Sequence, residues 1–181
     1  MAIAFGPMAM AEEAPQKVKD LAHGQLAALG KASAIVFAVK AENAKGKSMD
    51  QIKAMDAKWQ ATPGISSEMK ALMESACSLF LKSIQDSQSY FSEIFVMDNQ
   101  GANVAMTVKT SDYWQGDEAK FKKAFNEGNG AVFVDEVKFD DSAQAYLVQV
   151  SVPVWDGSQA IGAVTFGIDV DKIDNGINSE R

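Results

Sequence analysis

The sequence is poor in the residues on which most catalytic and metal sites depend. Its 181 residues hold one cysteine, Cys77, one histidine, His23, and one arginine, Arg181. A single cysteine excludes an internal disulfide, and a single histidine excludes a His-rich metal site and leaves Ser-His-Asp or Cys-His chemistry hard to assemble. Because the arginine ends the chain, no guanidinium fork is offered inside the fold to a carboxylate or phosphate. Basic charge is also short, with 17 Lys and Arg against 24 Asp and Glu and a net charge of −7. That balance speaks against a nucleic-acid partner, which needs clustered cations on one face. The deficit lies in the second half: residues 1–89 hold ten Lys and nine acids, residues 90–181 six Lys, Arg181 and fifteen acids. An anionic membrane surface is therefore not expected to attract it. No run of eighteen or more apolar residues occurs, so no transmembrane anchor is expected within the chain.

What is present is enough to fold. With 47% hydrophobic and 23% charged residues, 13 glycines and 4 prolines, the composition is neither disordered nor fibrous. A chain of this length fits one domain and buries roughly 70% of its unfolded surface. The opening Met1–Ala11 is apolar, and Ala9-Met10-Ala11 ahead of Glu12 has the small-x-small form of a signal-peptidase site. This predicts a residual signal peptide over 1–11 and a periplasmic or secreted mature protein. The basic segment that opens a signal peptide is missing, so the stretch reads as the tail of one; an unstructured end is the other reading, since the segment is short.

From Glu12 to about Ala44, Val18, Leu21, Ala22, Leu29, Ala32, Val36 and Val39 recur at helical spacing, interrupted by Gln25, and predict one long amphipathic helix. Ser48-Met-Asp-Gln51 is a capping-box pattern opening a short helix with Ile52, Met55 and Trp59, closed by Thr62-Pro63-Gly64. Ser66 or Ser67 caps a third helix running to about Ser89, its buried stripe formed by Met69, Leu72, Met73, Ala76, Leu79, Phe80 and Ile84. After Tyr90 the period falls to two. Glu93–Met97 and Ala102–Val108 form a hairpin, a helix through Phe121, Ala124 and Phe125 crosses over, and strands follow at Ala131–Phe139, Ala145–Val154 and Ala160–Val170. The fold class is α+β, with a long N-terminal helix and further helices followed by a five-stranded, largely antiparallel sheet. The organisation expected is a leader at 1–11, a helical segment at 12–89 packing on the sheet, a core at 90–173 and a tail at 174–181.

If Gly157-Ser158 forms a two-residue type II′ turn, Tyr146 lies opposite Asp169. On that face Val148 and Val150 meet the small residues Gly167, Thr165 and Ala163, which leaves room above the sheet. Asp169 is then a pocket candidate, because a carboxylate there is costly without a partner; a solvated strand-end residue or a cap on the following segment is the alternative. Tyr113-Trp114, two large aromatics in a polar loop, either close over a ligand or seal the edge of the sheet.

Three stretches carry a family resemblance: the hairpin Ile94–Ala105, the segment Asp112–Glu118 with Phe121 and Ala124, and Ser151–Asp156 with Ile161–Val164 and Gly167–Val170. In order and spacing they resemble the Cache superfamily, the PAS-like extracytoplasmic sensor domains of bacterial chemoreceptors and sensor kinases. The resemblance spans about Tyr90 to Ile173 and implies a small-molecule pocket on one sheet face, under the crossover helix and its loop. It places Phe121 on an aromatic position of the amino-acid-binding branch, Phe139 and Asp141 on a Tyr-x-Asp pair, and Asp169 on a final aspartate. The position of that branch's arginine falls near Glu118. Two acids able to take an ammonium remain, and Lys109 or Lys120 offers a cation to an acid, so an amine, an amino acid or a short organic acid is the implied ligand. The ligand-binding set expected is thus Tyr113, Trp114, Phe121, Phe139, Asp141, Tyr146 and Asp169.

No catalytic residue, metal site or cofactor is expected. His23 reads as a surface or packed residue of the leading helix, Cys77 as packing, and the Asp140-Asp141 and Asp169-Asp171-Asp174 groups as solvated turns lacking calcium-loop spacing. Two functions fit: a sensor handing its ligand state to a signalling partner protein, or a ligand-free interaction scaffold. The apolar stripe of the leading helix is also compatible with a homodimer.

Overall fold

The computed structural model describes residues 12–141 and 143–176. The leader assigned to 1–11 and residues 177–181 of the tail lie outside the described residues. The helices are α1, Gln16–Leu29 with a π-helical turn over Ala22–Leu26; α2, Ser33–Asn43; α3, Met49–Ala61; α4, Ser67–Met73; and α5, Ala76–Ser87. Strands β1, Phe91–Met97, and β2, Asn103–Met106, lead to helix α6, Ala119–Phe125. Strands β3, Phe133–Asp140, β4, Ala145–Asp156, and β5, Gln159–Asp169, and helix α7, Val170–Gly176, complete the chain. The sheet order is β2-β1-β5-β4-β3 with every neighbour antiparallel, an α+β fold as the sequence predicts. The α6 segment carries the chain from one sheet edge to the other.

The expected single leading helix is two helices bent by 67°. The cause lies far away in sequence. Gly30 packs so closely on β4 that a Cβ would collide with the Pro153 carbonyl, and its own carbonyl accepts the Trp155 N–H at 3.0 Å. A straight helix would lose that seat. The third predicted helix likewise divides. Ser75 Oγ accepts the Ser78 N–H at 3.1 Å and starts α5 afresh, a capping bond that offsets the break. The new start rotates the face, so Cys77, Ser78 and Leu81 are buried while Leu79, expected inside, is 59% exposed. Ser78 Oγ also donates to Leu72 O at 2.6 Å and accepts from the Met106 N–H at 2.9 Å, tying two helices to edge strand β2.

The β4–β5 turn is where Gly157-Ser158 was placed, with Gly157 at φ 61° and Asp156 opposite Gln159. A bulge between Val154 and Trp155 then moves the register by one residue. Asp169 therefore faces Leu147, and not Tyr146, which pairs with Phe139. A one-residue shift exchanges the two faces of a strand. Val148, Val150 and Val152 consequently turn toward α1, α2 and α5, joining Val18, Leu26, Ile35, Leu81, Ile94, Val164 and Phe166 in the larger core. The apolar stripe of α1 is used in this contact. On the opposite face a second core of Ile52, Trp59, Met69, Phe95, Met106, Tyr113 and Phe121 holds α3, α4 and the crossover segment against β1 and β2.

Candidate functional site

The second core covers only part of its face, and over the remainder the strands present polar side chains. Gly167 is the keystone. It pairs with Glu93 on one side and Gln149 on the other. A Cβ on Gly167 would lie 2.6 Å from Glu93 Cγ, so only glycine lets the glutamate lie across the sheet. Across that gap Gln149 Nε2 donates to Glu93 Oε1 at 3.1 Å. Above them the crossover segment brings Lys109, Gln115 and Lys120, and β3 brings Asp140, around a cleft of about 450 Å³. An adjoining cavity of about 380 Å³ shares Lys120, Asp140 and Gln149 and extends along β3 to Lys138. These volumes suit a small organic molecule.

The electrostatics follow from burial. Desolvation pushes the Glu93 carboxyl above its ordinary value, and the Gln149 hydrogen bond and the nearby Lys120 charge oppose this only in part. Lys120 is ion-paired with Glu118 at 3.0 Å and lies over the Phe95 ring at 5.3 Å. Lys109 Nζ donates to Thr62 O at 3.0 Å and Gly64 O at 2.9 Å, latching the α3–α4 loop to the rim of the cleft. Gln115 is 1% exposed; its Nε2 donates to Asp112 O at 2.9 Å, and its Oε1 has no hydrogen-bond partner among the described residues. No group of three or more His, Cys, Asp or Glu able to hold a metal ion occurs among the described residues.

A family model for the first PDC sensor domain of methyl-accepting chemotaxis protein-like proteins matches residues 65–175. The chain belongs to this family. It is a Cache-type sensor domain, as the three sequence stretches imply. Similar solved structures include the sensor domain of the V. cholerae histidine kinase DctB, at 10% identity and TM-score 0.45, with 89% of this chain and 51% of that one covered. The sensory domain of the Campylobacter jejuni chemoreceptor Tlp3 with isoleucine bound is 15% identical, with TM-score 0.43 and coverages of 90% and 66%. The ligand-binding domain of the Pseudomonas aeruginosa PAO1 amino-acid chemoreceptor PctC in complex with GABA is 15% identical, with TM-score 0.40 and coverages of 89% and 66%. The chain spans 51% to 66% of the length of these three structures. No curated protein matches it.

Within this sensor domain the seven residues singled out from sequence are spread over several places. Tyr113 lies in the second core, its ring 5.6 Å from Trp59 and its hydroxyl accepting from Lys47 Nζ at 2.6 Å. Trp114 donates from Nε1 to Gln100 O at 2.8 Å, carries the Lys53 ammonium 5.4 Å from its ring, and borders a separate cleft of about 460 Å³ with Asp56, Asp112 and Asp117. The N–H groups of both aromatics donate to Asp56 Oδ1, at 2.8 and 3.0 Å. Phe121 stacks on Phe125 at 5.2 Å beneath the crossover. Phe139 borders the 380 Å³ cavity, and its ring meets Tyr146 edge-on at 5.2 Å in a half-exposed pair. Asp141 is exposed in the β3–β4 turn, one position beyond Asp140. Asp169 is 3% exposed, accepts the N–H groups of Asp171 and Lys172 at 3.1 and 3.0 Å, and pairs with Lys172 Nζ at 3.0 Å. It thus caps the start of α7.

Sequence reasoning missed Glu93, Gln115, Asp140 and Gln149. The signal for Glu93 and Gln149 was available, since both are polar residues within apolar strands. Finding them required the correct register, which places each beside Gly167.

Proposed function

We propose that this sensor domain works outside the cytoplasm and binds a small polar molecule in the cleft over Gly167, passing its ligand state to a signalling partner. Glu93, Gln149 and Gln115 contact the ligand, with Asp140 at the border. Tyr113, Trp114 and Phe121 hold the crossover segment in place above it. The observation that carries this reading is the half-buried Glu93–Gln149 pair, laid across a glycine in a cleft that Gln115, with its unpartnered Oε1, also lines. Buried polar groups are costly unless paired, and a site that keeps such groups at a cleft recognises something with them. Membership of a family of sensor domains supports perception over catalysis.

A thermal-shift screen of amines, amino acids and short organic acids tests the reading. A ligand that binds the native state raises the melting temperature as its concentration rises. A flat response across the panel would favour a ligand-free scaffold instead.

A further inference from the structure

The hydrogen-bonding groups of the cleft are unevenly committed. Its cations are engaged: Lys120 is paired with Glu118 at 3.0 Å, and Lys109 donates to two loop carbonyls at 3.0 and 2.9 Å. An anionic ligand would have to share these ammonium groups with the partners they already hold. The acceptors are less occupied. Gln115 Oε1 is buried with no partner among the described residues, and Glu93 receives a neutral amide donor, Gln149, on Oε1. Around the two adjoining cavities the acids Glu93, Glu118, Asp135, Glu136 and Asp140 also outnumber Lys109, Lys120 and Lys138, the last paired with Asp135. A ligand that completes this set brings positive charge and hydrogen-bond donors on the same atom.

We propose that the cleft selects a small primary or secondary ammonium carrying no carboxylate, its N–H groups donating to Glu93 and Gln115 Oε1. The inference rests on the sensor reading above and narrows its ligand class. A carboxylate on the ligand would meet Glu93 or Asp140, and would have to share Lys120 with Glu118 and Lys109 with the loop carbonyls it latches. A quaternary ammonium supplies the charge without the N–H donors, so Gln115 Oε1 would stay unpaired. Charge-assisted hydrogen bonds are the strong ones in such a setting.

Isothermal titration of the full chain at mildly alkaline pH tests this with carbon-matched probes: pentylamine, 5-aminopentanoate and pentanoate, with tetramethylammonium beside them. Pentylammonium is expected to bind most tightly. Glu93→Gln should weaken it by roughly 10- to 100-fold, the range for one charge-assisted hydrogen bond. Lys120→Met, which removes a like charge and keeps the apolar stem over Phe95, should tighten it. Circular dichroism of each variant checks the fold. Stronger binding of pentanoate or 5-aminopentanoate would overturn the ammonium assignment and leave a small-molecule sensor. Tetramethylammonium matching pentylammonium would overturn the donor requirement and with it the proposal. No heat from any probe up to millimolar concentration would overturn the proposal and also count against the sensor reading. Should Glu93→Gln fail to fold, the wild-type ranking and Lys120→Met decide.

Discussion

On one face of the sheet Val148, Val150, Val152, Val164, Phe166 and Ile168 are fully removed from solvent beneath α1, α2 and α5. On the other, the same two strands present Gln149, Ser151, Thr165 and Asp169, with Glu93 beside them on β1. The first face is held by apolar burial, worth about 25 cal/mol per Å² and indifferent to which apolar side chain supplies the area. The second depends on particular pairings: Ser151 Oγ with Thr165 Oγ1 at 2.8 Å, Gln149 with Glu93 at 3.1 Å, and Asp169 with the start of α7. Alternation along a strand lets one sequence bury apolar side chains on one side and set specific polar pairings on the other.

The contrast is testable, and the largest effect belongs to the apolar face. Phe166→Ala there should cost about 3–5 kcal/mol in chemical denaturation, because it leaves a cavity beside Phe91. A loss much below that would show that the helices collapse to fill the space. Gly30→Ala, where the new methyl meets backbone that cannot swing aside, should cost about 1–3 kcal/mol. A neutral result would mean that the bend between α1 and α2 is not set by the seat on β4. Gly167→Ala on the polar face should cost less, about 1 kcal/mol or below, since the atom displaced is the flexible Glu93 side chain. It should nonetheless remove ligand-dependent stabilisation.

The smallest expected effect is a pH dependence. The fold favours protonated Glu93, so the stability this group contributes is present below the ordinary carboxylate range and is lost as pH rises through its raised value. Asp98, also pushed up by burial, acts in the same direction, whereas Glu42, drawn down by Lys45 and Lys47 despite its burial, acts in the opposite one. Both remain in the Glu93→Gln variant, so the difference between the two proteins isolates Glu93. The variant should melt higher than wild type at neutral pH, with the gain vanishing in acid. A difference independent of pH would show that the Glu93 carboxyl is not destabilised by burial.

Local chemistry made much of the fold legible. The capping box at Ser48 forms in both directions, at 3.2 and 2.9 Å to Gln51, because the whole device lies within four residues. The Asp98–Gly101 turn is equally local, with Asp98 Oδ1 accepting the N–H groups of Gln100 and Ala102 and Gly101 at φ 84°. What stayed hidden was set at long range. Gly30 breaks a helix because Pro153 and Trp155 meet it, and no window of sequence around Gly30 contains them. The bulge at Val154 and Trp155 is one residue of slip, yet it decides which face carries Gln149 and which carries Tyr146. The site was obscured by that error, because its geometry is a cross-strand pairing over Gly167 and not a motif.

The central claim is that ligand binding occurs over Gly167, on the polar face of the sheet. The most direct test is the thermal shift of wild type and Gly167→Ala, measured side by side against the tightest ligand the screen yields. The account predicts a concentration-dependent rise in wild type that is absent in the folded variant. An equal rise in both would contradict it and place the site elsewhere on the molecule.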